Sequence, residues 1–251
     1  MDEIAKYFET RFSEVEGWVQ PAALTILQAV NACCQSARIG GGACEIGVHH
    51  GRFFIALLAC IESGQSVAID VFEDQFLNID RSGKGSEGQF VSNLKRFGRN
   101  PDSVQCIKAD SLGINAAQLA RIWADTNGFR LFSVDGGHTA THALNDILIA
   151  QELVRNGGIV IVDDIFHPEW PGVTEAVYRY YASINAKLAP LCVAGGKLFM
   201  TSFSYHEAYL AQISKSLQAG RPGSIQKRIV IGSFPAISFR LHHDDPVLLT
   251  D

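Results

Sequence analysis

Two short runs carry the densest reactive chemistry in this 251-residue chain: Val134-Asp135-Gly136-Gly137-His138 and Ile161-Val162-Asp163-Asp164. Each is an apolar stretch that ends on acidic side chains. If the stretches are neighbouring strands, about 4.8 Å apart, then Asp135, Asp163 and Asp164 converge at the same end of a sheet. Three close carboxylates repel unless protons or a cation intervene, and oxygen-only ligands favour Mg2+ or another hard ion. The plainer reading has Asp163 and Asp164 capping the next helix and forming a salt bridge with no metal. His138 adds a group able to take a proton near neutral pH.

A second set of residues lies upstream. The segment Glu45-Ile46-Gly47-Val48-His49-His50-Gly51 follows an apolar run and opens a helix at Arg52. Gly47 lets backbone approach a ligand closely, and Gly51 allows tight packing where the helix starts. The spacing is E-x-G-x-x-x-G, because His49 stands where a dinucleotide fingerprint needs its second glycine. Asp70 and Asp110-Ser111 end the next two apolar runs. Taken singly, each of these acids reads equally well as a helix cap.

The elements that must position these residues alternate. Short apolar runs at 43–48, 66–71, 104–109, 130–135 and 158–163 read as strands. Helical patterns lie between them at 53–63, 87–97, 115–125 and 139–155. Such alternation builds βαβ units around a parallel sheet covered on both faces. After a helix at 174–183, two strand-like runs at 188–194 and 197–203 are joined by Gly195-Gly196, a tight hairpin signal. The expected fold is therefore an α/β, Rossmann-like, seven-stranded and mostly parallel sheet ending in an antiparallel hairpin. Before it, Ile4, Phe8, Phe12 and Val15 form an apolar helical stripe, and 22–34 reads as a second helix. After it come a helix at 206–217, a turn at Arg221-Pro222-Gly223 and apolar runs at 229–231 and 236–239. The division is a helical cap over 1–40, a core over 41–203, and an extension over 204–251 packed on the core or at a homodimer contact.

In order and register, these landmarks resemble class I S-adenosylmethionine-dependent methyltransferases over roughly residues 41–203. The resemblance implies that Glu45, Ile46, Gly47 and Gly51 form the first cofactor motif. It implies that Asp70 and Val71 meet the ribose, that Asp110 and Ser111 meet the adenine, and that Asp135 borders the methyl donor. The cofactor is cationic at its sulfonium and α-amino groups and carries a diol, so a pocket ringed by Glu45, Asp70, Asp110 and Asp135 suits it better than it suits a diphosphate. The pairing of Asp135–His138 with Asp163-Asp164 resembles metal-dependent small-molecule and sugar O-methyltransferases. That likeness implies Mg2+ held by Asp135, Asp163 and Asp164, and a base at His138 or, failing that, Asp135. Gly137 stands where relatives often carry an Asp. The implied acceptor is a hydroxyl of a small molecule or sugar. The alternatives are a metal-independent, possibly N-directed, methyltransferase, an NAD(P)-dependent oxidoreductase, or a cofactor-binding protein without catalysis.

Composition narrows the field. A net charge of −5 and a pI near 5.9 argue against nucleic-acid binding by bulk electrostatics. No apolar stretch reaches the length of a membrane span. The six cysteines contain no C-x-x-C pair and read as buried free thiols in a reducing, cytoplasmic setting. Several suggestive residues read plainly: His49 and His50 as the pocket rim, His142 and Asp146 as a helix-surface pair, and His242–Asp245 as a solvated tail. Residues 78–88 read as a mobile polar loop over the adenosine end or the substrate mouth. His167, Glu169 and Trp170 read first as ordinary residues of a Pro-containing loop, with substrate contact as the alternative.

Overall fold

The computed structural model describes residues 7–9, 11–218 and 224–241. Ile4, the 221–223 turn and the 242–245 run lie outside the described residues. Nine strands form one sheet in the order β3-β2-β1-β4-β5-β7-β6-β9-β8. They are β1 Gly42–Ile46, β2 Ser66–Asp70, β3 Val104–Lys108, β4 Phe129–Val134, β5 Val154–Val162, β6 Leu188–Ala194, β7 Lys197–Ser202, β8 Ser224–Ile231 and β9 Phe234–Leu241. The first five are parallel, and β7 enters antiparallel between β5 and β6.

The sheet is two strands wider than the seven expected, because the apolar runs after residue 224 form a hairpin and β9 pairs parallel with β6. Gly232, at φ +60°, lets that hairpin turn. The C-terminal extension therefore continues the sheet. At its edge β8 leaves Val230 exposed.

Among the described residues the helices covering the two faces are α1 Pro21–Ser36, α2 Arg52–Ala59, α3 Glu87–Arg96, α4 Ala116–Thr126, α5 Ala140–Leu153, α6 Pro171–Ala182 and α7 Phe203–Gln218. One core gathers Ile26 and Val30 of α1, Phe54 and Leu57 of α2, Phe90 of α3 and Ile213 of α7 against the sheet. The other gathers Ile122 of α4, Ile147 and Ala150 of α5, and Val173 and Val177 of α6. Strand β5 reads Ile159-Val160-Ile161-Val162 because both of its faces are buried. This double cover leaves the strand ends as the place where polar side chains can gather. The six cysteines are free, five of them buried, as expected. No helix among the described residues is long and apolar enough to cross a membrane.

Candidate active site

Strand order reverses between β1 and β4, and ligands of open parallel sheets bind beyond the carboxyl ends of the strands at such a switch point. A cleft of about 780 Å³ opens there, within the range of small-molecule and cofactor pockets. The structure brings Glu45, Ile46, Gly47, Asp70, Val71, Asp110 and Ser111 to its walls, with Asp135, His138, Asp163 and Asp164 beside them. Gly51 lies outside the lining.

Glu45 is 1% exposed, and neither of its carboxylate oxygens has a hydrogen-bond partner among the described residues. Burial pushes its carboxyl up to about 8. An orphaned buried carboxyl on a cavity wall calls for a cationic or hydrogen-bond-donating ligand. That requirement fits the cofactor's cationic end. Asp70 is partly committed, accepting the His49 N–H at 2.7 Å and the Phe72 N–H at 2.6 Å. Asp110 likewise caps a short turn, accepting from Leu112 N at 3.0 Å. Gly47 has φ +87°, and a Cβ there would fall 1.7 Å from the Asp135 carbonyl oxygen, so the neighbouring strand is what fixes this glycine. Gly51 starts α2 at φ +88°, and a Cβ would meet Phe90 at 2.6 Å.

His138 is clamped. A single Asp80 oxygen accepts its backbone N–H at 2.7 Å and lies 2.8 Å from Nδ1. Ser82 Oγ also approaches Nδ1, at 3.3 Å, and donates to the other Asp80 oxygen at 2.6 Å. The indole of Trp170 stacks on the imidazole at 4.4 Å. On the far side, Nε2 faces Asp164 Oδ2 at 3.0 Å. Asp164 reaches that position from a left-handed backbone, φ +55°. Burial opposes a charged imidazole, but the Asp164 and Asp80 hydrogen bonds outweigh it and raise the His138 pKa above its ordinary 6.5. Burial also works against Asp80's charge, yet the hydrogen bonds from His138 and Ser82 hold its carboxyl down to about 2. Asp80 is thus ionised and can only accept, so Nδ1 carries a proton. Nε2 hydrogen-bonds Asp164 through a proton of its own while the ring is charged, and it becomes an acceptor once that proton is lost.

Asp80 belongs to the 78–88 segment expected to be a mobile loop. Asn78 pins that loop instead, donating to the carbonyls of Ser82 and Gly83 at 2.8 and 3.2 Å. The expected His142–Asp146 surface pair does not form. Asp146 is fully buried, and His142 turns to Thr139 at 2.7 Å and toward Asp110 at 3.7 Å. His49 stands at the cleft rim beside Trp18, as expected.

Asp135, Asp163 and Asp164 do stand together, but a lysine stands with them. Lys197, first residue of β7 and 1% exposed, hydrogen-bonds Asp163 Oδ2 and lies 3.5 Å from Asp135 Oδ2. The other Asp163 oxygen accepts the Asp164 N–H at 2.9 Å. Both Asp163 oxygens are therefore engaged. Single ligand atoms of Asp135, His138 and Asp164 lie within 4.8 Å of one another, as do those of Glu16, His49 and His50. A divalent ion placed 5 Å from the Lys197 ammonium would meet a repulsion of roughly 7 kcal/mol at an effective dielectric of 20. As they stand, Asp135, Asp163 and Asp164 do not fit a divalent ion.

Residues 44–165 match the family model of a methyltransferase domain. Over that span, just under half of its length, the chain is similar to a methyltransferase domain. The methyltransferase likeness expected from the motifs agrees with this match. Among solved structures, the O-methyltransferase NovP superposes with a TM-score of 0.56 at 16% identity, over 70% of this chain and 78% of that one. An O-methyltransferase from Bacillus cereus, solved in complex with SAH, superposes with a TM-score of 0.50 at 16% identity, over 80% of this chain and 91% of that one. No curated protein matches the chain significantly. At these identities the solved structures share the methyltransferase fold, nine strands here notwithstanding.

Proposed function

We propose that the protein transfers the methyl group of S-adenosylmethionine to a hydroxyl of a small molecule or sugar, with His138 as general base. The observation that carries this reading is the clamp on His138: Nδ1 is held by an ionised carboxylate while Nε2 meets Asp164 on the wall of the cleft that Glu45 also lines. The cofactor's α-amino group and sulfonium face the acidic floor, Glu45 foremost, and its ribose hydroxyls donate to Asp70. Asp110 and Ser111 border the adenine end. The acceptor hydroxyl enters beside Trp170 and gives its proton to Nε2, displacing the Asp164 contact. The freed oxygen attacks the methyl carbon in line, the carbon–sulfur bond breaks, and S-adenosylhomocysteine leaves neutral at sulfur. Alignment in a water-poor cleft supplies most of the acceleration.

His138 is preferred to Asp135 as the base. Burial and the charge of Asp163 push the Asp135 carboxyl well above its ordinary range. Asp135 also lies 3.5 Å from the Lys197 ammonium, whereas His138 is held at the cleft wall by Asp80. Asp80 and Trp170 are positioning residues that fix the tautomer and the ring plane. Mg2+ takes no step in this scheme.

The test is methyl transfer from labelled S-adenosylmethionine to a panel of sugar, phenol and polyketide hydroxyls. His138→Ala is expected to lower turnover by roughly 10²–10⁴-fold and to leave S-adenosylhomocysteine affinity unchanged. Wild-type turnover in that variant would remove His138 from the mechanism.

A further inference from the structure

The floor of the cleft is built by register. Val134 of β4 pairs with Val162 of β5, and Val162 pairs with Leu198 of β7. One residue further on, Asp135, Asp163 and Lys197 therefore fall in a single row across three strands. The row is fixed from both sides. Gly195 and Gly196 turn the β6–β7 hairpin at φ +54° and +79°, and the Gly196 carbonyl accepts from Ile165 N at 2.9 Å. The Lys197 stem runs through the interior, and its ammonium lies 4.3 Å from the ring centre of Phe53, on α2. A lysine 1% exposed, wedged between two carboxylates and an aromatic face, has no freedom to leave.

We propose that Lys197 is the cleft's resident cation: its ammonium supplies, at the Asp135–Asp163 pair, the positive charge that a divalent ion supplies in metal-dependent methyltransferases, so this protein works without such an ion. The inference rests on the methyltransferase reading above and adds the electrostatic design of its site. A fixed ammonium neutralises Asp163 and repels a second cation from the row. It also leaves Asp164 free to turn towards His138 and Glu45 free for the cofactor. Lys197 touches neither acceptor nor methyl group in this account. It is a positioning residue, and its removal converts a closed ion pair into an open set of oxygen ligands.

The test needs no acceptor. Mn2+ is titrated into the full-length protein, with the free ion read by electron paramagnetic resonance, for wild type, Asp135→Asn and Lys197→Met. S-adenosylhomocysteine affinity of the wild type is measured in parallel in EDTA and in excess Mg2+. Wild type and Asp135→Asn are expected to bind Mn2+ alike, and the nucleoside affinity to be the same in both buffers. Lys197→Met is expected to bind Mn2+ about tenfold or more tightly than wild type, once the repulsion is gone. A wild-type Mn2+ site that Asp135→Asn removes would overturn the proposal. So would a cooperatively folded Lys197→Met with no gain, or nucleoside binding that needs Mg2+. Should Lys197→Met fail to fold, the wild-type and Asp135→Asn titrations decide alone. Absence of nucleoside binding in every buffer would sink the methyltransferase reading, while the Mn2+ comparison still judges Lys197.

Discussion

Asp80 and His138 are joined twice through one oxygen: Oδ2 receives the backbone N–H at 2.7 Å and faces Nδ1 at 2.8 Å. The pairing fixes where the imidazole sits and keeps a proton on Nδ1, leaving Nε2, which faces Asp164, as the nitrogen that can exchange its proton. It also joins two loops 58 residues apart in sequence, so the base is assembled only when the 78–88 segment is in place.

Replacing Asp80 tests that link. A base must be neutral to accept a proton, so the rate rises with pH through the His138 pKa, which lies above 6.5. Asp80→Asn removes one of the two carboxylates that raise it. The acid limb of the pH–rate profile is expected to move to lower pH while the plateau falls roughly 10²-fold. A lowered plateau with an unmoved limb would contradict the pairing.

Trp170 acts on the same ring from its face. Trp170→Ala is expected to reduce kcat roughly tenfold by loosening the imidazole and to leave S-adenosylhomocysteine affinity within a factor of about two. Calorimetry beside steady-state kinetics separates the two effects.

Much of the site was legible because strand-end acids follow the period of the sheet. Asp135, Asp163 and Asp164 follow apolar runs that could only be buried parallel strands, and Gly195-Gly196 announced the hairpin. Asp80 was not legible. It sits in a polar, glycine-bearing segment whose order comes from Asn78 and Ser82 bonding the loop to itself. Lys197 was hidden differently. A single lysine heading Leu198-Phe199-Met200 reads as a strand end, and only the β5–β7 register reveals that its neighbour is Asp163. The β8–β9 hairpin carries a weaker sequence signal: Gly232-Ser233 is a two-residue link between two apolar runs, with only Gly232 at positive φ.

Gly47 tests the architecture rather than the chemistry. With φ +87° and a Cβ that would fall 1.7 Å from the Asp135 carbonyl oxygen, Gly47→Ala combines backbone strain with overlap between β1 and β4. A loss of about 3 kcal/mol or more is expected, read as a denaturant midpoint. A near-wild-type midpoint would mean that the two strand ends separate easily.

Glu45 sets a pH dependence with a definite sign. Its carboxyl rises to about 8 in the folded protein from an ordinary value of 4.5, so folding favours the protonated form. The associated stability is full below pH 4.5 and is lost as pH rises through 8. Glu45→Gln is expected to flatten that fall, measured as melting temperature against pH between about 5 and 9. An unchanged slope would place the titration elsewhere.

The most direct test of the cleft as a site for a cationic nucleoside cofactor is calorimetric titration with S-adenosylhomocysteine, which keeps the α-amino group. It is run at pH 7 in EDTA, in two buffers of different ionisation enthalpy. The α-ammonium favours ionised Glu45, so binding is predicted with net proton release, and with both affinity and release reduced in Glu45→Gln. No binding, with NADPH giving heat in the same cell, would contradict the account and return the cleft to an oxidoreductase reading.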